Sequence, residues 1–516
     1  MTKNEWKFIQ FCAILYGHKF ALAAKRIMLE VDMLNLIPTP KKQTVMNEDD
    51  HAISHTAFTA VAEWQDIMDT FCDSISRIYE IDMARGGQGG VLLVLDPTLD
   101  EDAYVLDSSE AIVIRASARE GALYGLATAL QLVDLKGGVL SVQSVLVEDK
   151  PDKDYRSFMI ATGRIFHPFK KMLKYVDLCF YYKLKYLHLH FADADLYTMP
   201  SKAFPKLCKP GKHYTFEEIK ALNAYAAARG VVLVPELEGP GHARVLTEAY
   251  PEVFACYTDE ARTEPVGVTG SKFSAHGVIC VGYERTFEAI KTLIGEIVEM
   301  FPDSPYIHIG GDEAPFETWE LCATCRAYME KNGIASVEDL YGEFVGRVAA
   351  HVLSIGKTPI VWEGVARGSM HYIPKETIVI AWSGVRGLAP EYLEKGYSII
   401  NAAWKPLYLV TRYIPHYDHY SYEDILDWDM HNWQHWAPVV SITENPLHIE
   451  PTDKLLGTAL CAWSMEYEQL ISRLLECMPA FAERAWTQGR GMGLEEYCRI
   501  MRKSADKPAR LIADKS

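Results

Sequence analysis

The stretch from Tyr306 to Glu313 reads YIHIGGDE, an apolar run followed by two glycines and two adjacent carboxylates. The run Tyr306–Ile309 is typical of a buried strand, and a Gly-Gly pair lets the chain turn sharply and lets a ligand approach closely. Both acidic side chains can then project from the end of the strand. Because two carboxylates in different surroundings can take different pKa values, Asp312 and Glu313 are the first candidates for chemistry. A solvated loop is the alternative for the pair taken alone.

Similar apolar runs recur after residue 155, each followed by a loop and a helix pattern. The predicted strands are Phe158–Ala161, Tyr186–Phe191, Val231–Pro235, Tyr306–Ile309, Pro359–Trp362, Ile378–Trp382, Tyr397–Ala402 and Gly457–Trp463. Predicted helices include Thr215–Ala228, which Thr215 and Glu218 open with a capping box and Gly230 closes, and Phe287–Met300. Eight strands alternating with helices predict an α/β fold, a (β/α)8 TIM barrel whose active site gathers at the carboxyl ends of the strands.

The first 150 residues have a different rhythm. Short strands are predicted at Val91–Leu95, Tyr104–Leu106 and Ala111–Ile114, and a helix at Ser117–Leu135 with Ser117 and Glu120 at capping-box spacing. This pattern predicts a small α+β domain over residues 1–150, followed by a catalytic barrel over residues 151–516. The acidic, proline-containing stretch 148–154 is the expected boundary.

The composition of the 516-residue chain excludes several classes of protein. Hydrophobic residues make up 49%, enough for a large core and too many for a disordered chain. With 52 basic against 69 acidic residues the net charge is −17, which argues against nucleic acid or an anionic membrane as the partner. The oligomeric state stays open.

The N-terminal and cysteine patterns favour a cytoplasmic protein. The apolar patch at residues 8–17 is closely bracketed by basic residues and lacks a small-residue cleavage site, so we expect no secretory signal. No run approaches the roughly 18 apolar residues that would span a bilayer. Cys179, Cys280 and Cys461 lie inside apolar runs and are expected to be buried thiols.

Acids, one histidine and several tryptophans follow the predicted strands. They include Asp193 after the second strand, His242 after the third, and the pair Asp312 and Glu313 after the fourth. Indoles follow later strands, at Trp362, Trp382, Trp404 and Trp463. A pocket walled by indoles with carboxylates at its rim suits a sugar ring, whose C–H faces pack on aromatics while its hydroxyls need polar partners.

Six ordered motifs strengthen this interpretation. They are a front segment containing AYVLD and AIVIRASAREGALYGLATALQL, then LHLHFAD, PELEGPGH, HIGGDE, VWEG and PAFAERAW. Together they resemble glycoside hydrolase family 20, the β-N-acetylhexosaminidases, whose signature is His-x-Gly-Gly-Asp-Glu. The resemblance covers roughly residues 90 to 490. It implies a retaining, exo-acting enzyme in which the 2-acetamido group of the substrate acts as the nucleophile, with terminal β-linked N-acetylglucosamine or N-acetylgalactosamine as the sugar.

The same resemblance implies roles for individual residues. Glu313 would be the general acid and base, Asp312 would bind the acetamide N–H, and Asp193 and His242 would hydrogen-bond toward the acid. The positions matched to substrate contacts are Arg156, Trp362, Trp382, Trp404, Tyr408, Trp463 and Glu466. Among them Arg156 would bind the outer hydroxyls and Tyr408 would orient the acetamide carbonyl. No metal or cofactor is implied.

Departures from the family pattern fall on the outer-hydroxyl contacts. The second-strand acids read Asp193, Ala194, Asp195, the segment AAWKPLY replaces a Trp-Tyr-Leu-Asp run, and the last expected Glu is displaced by one position to Glu466. The preference between gluco and galacto sugars, the natural aglycone and the pathway therefore stay open.

Three features keep two interpretations each. His188 and His190 are core or supporting histidines, with a metal pair as the alternative. The single CxxC of Cys322 and Cys325 lacks a second pair, so an accidental or structural pair is favoured over zinc. The Trp428–Trp436 segment is either a lid or a packed loop. For the whole protein, the alternatives are a related family member with another N-acetyl sugar or disaccharide specificity and a carbohydrate-binding barrel without turnover.

Overall fold

The computed structural model describes residues 34–87, 89–263, 265–266, 277–364, 368–410, 419–438, 440–489 and 491–514. The apolar patch at residues 8–17 lies outside this part of the chain. Two compact units are formed: one runs up to Lys150 and includes Cys498–Leu511, and the other comprises Pro151–Tyr497 and the residues from Ile512.

The first unit is an α+β structure built on one mixed sheet. Its strands are β1 Lys42–Ala52, β2 Thr56–Thr59, β3 Ala84–Arg85, β4 Val91–Leu95, β5 Tyr104–Asp107, β6 Ile112–Ala116, β7 Asp134–Lys136 and β8 Val139–Asp149. The sheet order is β1-β8-β5-β6-β4-β2-β3, with β7 paired to β8. Helices α1 Gln65–Tyr79 and α2 Arg119–Leu132 belong to this unit, as does the short 3-10 helix Ala62–Trp64.

The three strands predicted in this unit are confirmed, but the predicted capping box is wrong. Helix α2 begins at Arg119 after Ala118, and no side chain caps it. The hydroxyl of Ser117 instead donates to the carbonyl of Asp100 at 3.0 Å. A tertiary contact has therefore replaced the local cap that the spacing suggested.

The second unit contains a closed barrel of eight parallel strands, which confirms the predicted fold. The barrel strands are β9 Tyr155–Ile160, β10 Tyr186–His190, β11 Val232–Glu236, β12 Tyr306–His308, β13 Thr358–Trp362, β14 Ile378–Ala381, β15 Ser398–Asn401 and β19 Leu455–Trp463. Each strand pairs with the next, and β19 closes the ring by pairing with both β15 and β9. An extra strand, β16 Tyr408–Val410, pairs with the last part of β19, and a small hairpin is formed by β17 Asn432–Trp433 and β18 Leu447–His448.

Helices connect these strands along the chain. They are α3 Phe169–Tyr181, α4 Phe216–Ala227, α5 Arg244–Ala249, α6 Pro251–Phe254, α7 Glu284–Met300, α8 Glu317–Leu321, α9 Ala323–Asn332, α10 Val337–Ser354, α11 Ala389–Glu394, α12 Trp404–Leu407, α13 Tyr422–Asp427 and α14 Ser441–Glu444, with 3-10 turns at Pro205–Leu207 and Met370–Tyr372. After the last strand come α15 Tyr467–Trp486, α16 Leu494–Ser504 and α17 Asp506–Leu511, of which the stretch Cys498–Leu511 belongs to the first unit. The predicted capping box of α4 is confirmed, since Thr215 and Glu218 exchange side-chain and backbone hydrogen bonds. In the part of the chain that the structure describes, every helix is too short or too polar to span a bilayer.

The barrel interior is filled by side chains from its strands. At the amino-terminal end Tyr155 stacks on Tyr186 with ring centroids 4.6 Å apart, and Met159, Ile360 and Ile400 are among the buried residues above them. Burial of this layer leaves the carboxyl ends of the strands as the place where polar side chains meet.

At Gly457 the closing strand β19 approaches β9 so closely that no side chain fits between them. Gly457 has φ +148°, and a Cβ added there would lie 1.9 Å from the carbonyl oxygen of Tyr155 on β9. Gly457→Ala must therefore displace backbone, and we expect a loss of at least about 1 kcal/mol in the free energy of unfolding. The matched control is Gly295→Ala in α7, where an added Cβ meets nothing within 4 Å and a gain of up to about 1 kcal/mol is expected. Urea unfolding of both variants measures the difference, and equal stability would contradict it.

Candidate active site

The turn after β12 places two carboxylates at the mouth of the barrel. Gly310 and Gly311 take φ +72° and +118°, and a Cβ at Gly310 would lie 2.1 Å from Oε1 of Glu238. The glycines thus allow the sharp turn and the close approach that the sequence predicts. Asp312 is 9% exposed, while the side chain of Glu313 keeps 33% of its surface accessible. The two neighbouring acids therefore have different surroundings.

A chain of hydrogen bonds and ion pairs leads from Glu313 into the protein. Oε2 of Glu313 lies 3.1 Å from Nε2 of His242, and Nδ1 of His242 lies 3.3 Å from Oδ1 of Asp193. Asp193 also accepts from Nε of Arg164 at 2.7 Å and lies 2.8 Å from Nε2 of His190. Side chains from the ends of the first four barrel strands are joined in this way.

Two members of this chain have unusual backbone conformations. His242 has φ +49° and Glu313 has φ +47°, a region that residues other than glycine rarely occupy. Such strain persists only where the surrounding structure enforces it, and it clusters at functional sites. Its presence on both partners of one hydrogen bond indicates that their mutual geometry is held at a cost in stability.

A fully buried network lies beneath the acids. Glu236 contacts three histidines, at 2.6 Å for Nδ1 of His190, 2.9 Å for Nε2 of His188 and 3.0 Å for Nδ1 of His308. It also accepts from the indole of Trp362 at 2.5 Å. His190 and Trp362 form direct hydrogen bonds to Glu236, while His188 and His308 lie within contact distance of its carboxylate. His188 and His190 thus face a buried carboxylate beneath the acids, which favours the supporting role, and Glu236 and His308 are members of the network that the sequence analysis missed.

The charges in this region are balanced by their neighbours. Burial alone would raise the pKa of Asp193, but Arg164, His242 and His190 hold it well below its usual range. Burial would likewise lower the pKa of His242, yet the charge of Asp193 and hydrogen bonds to Asp193 and Glu313 raise it to about 10. His242 is thus a positively charged imidazolium at neutral pH.

Burial is the largest effect on the pKa of two other acids and sets the direction of the net shift. Burial raises the pKa of Asp312 to about 6; the charge of His242 opposes this rise, and the smaller effect of Glu313 adds to it. Burial also raises the pKa of Glu238 well above its usual range, together with the charges of Asp312 and Glu236. Its surroundings therefore favour the protonated form of Glu238 beside the Gly310–Gly311 turn, whereas Asp312 is largely ionised at pH 7.

Aromatic side chains line the same end of the barrel. Trp404 and Tyr408 stack at 4.5 Å, and Tyr408 lies 5.9 Å from both Trp382 and Trp463. The guanidinium of Arg164 covers the ring of Trp463 at 4.6 Å. The structure therefore brings together the later indoles and Tyr408 as predicted, next to the arginine that is bound to Asp193.

The Trp428–Trp436 segment packs against the barrel, which agrees with one of the two interpretations left open by the sequence. Trp428 and Trp433 are buried, and Trp433 donates to the carbonyl of Ala381 at 3.0 Å. Trp436 is partly exposed and lies 6.2 Å from Trp404, with the ring of His435 at 5.1 Å. The segment is thus a packed loop whose far end, His435 and Trp436, reaches the aromatic group.

Two predicted contacts are placed elsewhere. Arg156 is fully buried near the amino end of β9, where its guanidinium donates to the backbone carbonyls of Lys153, Asp154 and Lys183. The structure does not bring it to the carboxyl ends of the strands, because it precedes most of its strand. Arg164, which follows that strand, occupies the place expected of it. Glu466 is exposed at the start of α15.

Two other acids at strand ends have structural partners. Asp195, whose role was open, pairs with Arg244 at 2.6 Å on the surface. Glu363 accepts backbone hydrogen bonds from Trp382, Ser383, Gly384 and Val385, and so fixes the turn that carries Trp382. The acid at this strand end supports the loop from below.

Comparison with known proteins agrees with this arrangement. Residues 154–489 match the model of the glycosyl hydrolase family 20 catalytic domain, and residues 33–150 match that of domain 2 of the same family. The chain belongs to glycosyl hydrolase family 20. It is therefore a glycoside hydrolase, whose substrates are glycans.

Similar proteins support the assignment to family 20. A β-hexosaminidase of Akkermansia muciniphila is 30% identical over 440 residues, which are 80% of this chain and 84% of that protein. A β-hexosaminidase of Vibrio furnissii is 26% identical over 417 residues, 75% of this chain and 65% of that protein. Among solved structures, a family 20 exo β-N-acetylglucosaminidase from Vibrio harveyi in complex with N-acetylglucosamine superposes with a TM-score of 0.78 at 22% identity, covering 93% of this chain and 78% of that one. At that identity the superposition shows the shared fold.

The charge on Asp193 should control the proton on His242. In Asp193→Asn we expect the pKa of His242 to fall from about 10 by more than one unit, because burial then acts with a weaker opposing charge. NMR titration of labelled histidine, with the His242 signal assigned from its absence in His242→Gln, measures this value. Asp195→Asn is the matched control, since it removes an exposed carboxylate two positions away. An unchanged His242 titration in Asp193→Asn would contradict the balance described.

Proposed function

We propose that this family 20 glycoside hydrolase is a retaining exo-β-N-acetylhexosaminidase that removes terminal β-linked N-acetylglucosamine, N-acetylgalactosamine or both. The named relatives are β-hexosaminidases, which supports this activity. The observation that carries the proposal is the arrangement of Asp312, Glu313 and His242. One carboxylate oxygen of each acid and one ring nitrogen of the histidine all lie within 4.8 Å of one another.

The spacing of the carboxylates favours a substrate-supplied nucleophile. In the usual double-displacement glycosidases, the acid and the nucleophile face each other across the scissile bond, about 5 Å apart on separate elements. Here the two acids are consecutive residues of one turn. In the proposed reaction the acetamide carbonyl oxygen forms a bond to C1 as the bond from C1 to the glycosidic oxygen breaks, and the resulting oxazolinium ion is then hydrolysed.

Glu313 acts in this proposal as the general acid and then as the general base. Its partly exposed carboxyl gives its proton to the departing glycosidic oxygen and later takes one from the attacking water. The hydrogen bond from protonated His242 stabilises the carboxylate left behind. Asp193, buried below, keeps that proton on His242, so both residues position and tune Glu313 without touching the substrate.

Asp312 is assigned to the acetamide nitrogen. Since its pKa is about 6, Asp312 is ionised at neutral pH and can accept the N–H as positive charge develops on the ring that forms. Burial in a site of low polarity strengthens this interaction relative to the same contact in water. The contact between Asp312 and the acetamide N–H therefore stabilises the transition state in which the acetamide oxygen attacks C1.

The aromatic group is assigned to the sugar. Trp382, Trp404 and Trp463 pack on the ring and the acetamido methyl, and Tyr408 donates to the acetamide carbonyl. Trp362 supports this wall from beneath, since its indole N–H is bonded to Glu236. Arg164 takes the place predicted for Arg156, and its contact with Trp463 sets it at the rim. Glu466 stays a candidate for an outer hydroxyl.

Domain division and location belong to the same proposal. Residues 1–150 would form an accessory α+β domain, with the catalytic domain beginning near residue 151; the two family matches, over 33–150 and 154–489, support this division. Cys179, Cys280 and Cys461 are buried cysteines without disulfides, as expected of a protein that works in the reducing cytoplasm.

The acid role of Glu313 is tested with two substrates that differ in their leaving group. Glu313→Gln should lower kcat by about 10²-fold or more on a natural disaccharide, whose alcohol leaving group needs a proton. A dinitrophenyl glycoside should be affected far less in its first step, because its leaving group is already stable as an anion. Glu320→Gln, an exposed glutamate on α8, is the control and should leave both rates unchanged. Equal losses on both substrates would remove Glu313 from this role.

A further inference from the structure

Four cysteines from separate parts of the chain meet beside the catalytic end of the barrel. Cys256 follows α6, Cys280 precedes α7, Cys322 precedes α9 and Cys325 lies in its first turn. All four are buried, no disulfide joins them, and their sulfurs all lie within 4.8 Å of one another. We call these residues the cysteine cluster. The CxxC motif, which had no second pair in the sequence, gains two partners from the fold.

The sulfur separations agree with a tetrahedral metal site. Sγ of Cys280 lies 3.6 Å from that of Cys322 and 3.7 Å from that of Cys325. A zinc ion with four sulfurs at about 2.3 Å requires them to be about 3.8 Å apart. A disulfide would require about 2.05 Å.

We propose that the cysteine cluster binds one zinc ion as a structural site with four thiolate ligands. Four thiolates complete the coordination of zinc and leave no position for water or substrate, which is the mark of structural rather than catalytic zinc sites. The proposed ion therefore takes no part in hydrolysis. It is independent of the proposed activity and is tested separately.

Side chains and backbone groups around the cluster fit this role. Nη1 of Arg262 lies 3.9 Å from Sγ of Cys280, and its Nη2 donates to the carbonyl of Ala255 at 2.8 Å. Because zinc with four thiolates carries a net charge of about −2, a nearby guanidinium offsets part of that charge. The backbone N–H of Cys280 donates to Phe254 at 2.7 Å, and that of Ala323 to Tyr257 at 2.9 Å. The cysteines are thus presented by segments that are bonded to each other.

The site would tie together the two loops that carry the catalytic groups. Cys256 and Cys280 lie on the connection after β11, which also carries His242, and Cys322 and Cys325 follow the turn after β12, which carries Glu313. One hydrogen bond also joins the two loops, since the indole of Trp319 donates to the carbonyl of Ile279 at 2.9 Å. The backbone N–H of Ile279 in turn donates to the carbonyl of Pro240, two residues before His242, at 3.0 Å. Zinc would therefore hold His242 and Glu313 at a fixed distance from each other, although the ion itself lies outside the pocket.

Metal analysis of the purified full-length chain tests the site directly. After dialysis against metal-free buffer without a strong chelator, mass spectrometry of the metal content should find about one zinc per chain. A mercurial reagent that titrates the thiols should release it, as a coloured zinc indicator reports. Replacement by Co²⁺ should give the visible absorption of tetrahedral cobalt with thiolate ligands.

Variants locate the ion. Cys322→Ser and Cys280→Ser should each reduce bound zinc at least tenfold and lower the unfolding temperature. Cys208→Ser, a partly buried cysteine outside the cluster, is the matched control and should keep the full zinc content. If the serine variants do not fold, Cys280→His, which retains a zinc-binding nitrogen, should restore folding and zinc together.

Each contrary result overturns the proposal. A wild-type chain that contains no zinc and takes up no Co²⁺ with intact thiols excludes a metal at the cluster. Iron instead of zinc, or disulfides among these cysteines in freshly purified protein, also contradicts it. Full zinc content in the Cys322→Ser variant also contradicts the proposal, because the ion would then be bound elsewhere. Loss of zinc from that variant supports the site whether or not activity on Glu313-dependent substrates changes.

Discussion

The buried negative charge of Asp193 is the constraint on which the site depends. An isolated carboxylate in the interior costs several kcal/mol, so it must be surrounded by donors. Arg164, His190 and His242 supply them, at 2.7, 2.8 and 3.3 Å. The same contacts orient His242 toward Glu313 and keep its proton at neutral pH. The buried charge of Asp193 must be paired for the protein to fold. The same pairing fixes the hydrogen bond from His242 to Glu313, the proposed acid.

Strand register supplies the layer beneath this charge. His190 on β10 is level with Glu236 on β11, and Glu236 is level with His308 on β12. Parallel strands in this register bring one anion among several imidazoles, and the indole of Trp362 on the next strand completes the set. The buried charges are thus paired within a single layer of the barrel. Above that layer the chain turns at Gly310 and Gly311, and the two acids reach the mouth with unequal exposure.

Sequence patterns predicted what depends on local periodicity and on strand ends. The barrel follows from eight apolar runs, and the acids and indoles that end those runs meet as expected. Arg156 shows the limit, because its place before the apolar run put it at the amino end, whereas Arg164 beyond the run reaches the site. The cysteine cluster shows another, since Cys256 and Cys280 are joined to the CxxC only by the way two loops fold together. Such long-range contacts leave no spacing signal in the chain.

The central claim is that the substrate supplies the nucleophile while Asp312 stabilises the cyclised intermediate, and inhibitor binding tests it most directly. A thiazoline analogue of N-acetylglucosamine mimics that intermediate, so it should bind at least about 10²-fold more tightly than N-acetylglucosamine. Titration calorimetry should show that Asp312→Asn loses most of this advantage, and mass spectrometry should find no adduct after incubation with a 2-deoxy-2-fluoro glycoside. Weak thiazoline binding together with a fluoro-sugar adduct on Asp312 would contradict the account and would indicate a covalent double displacement.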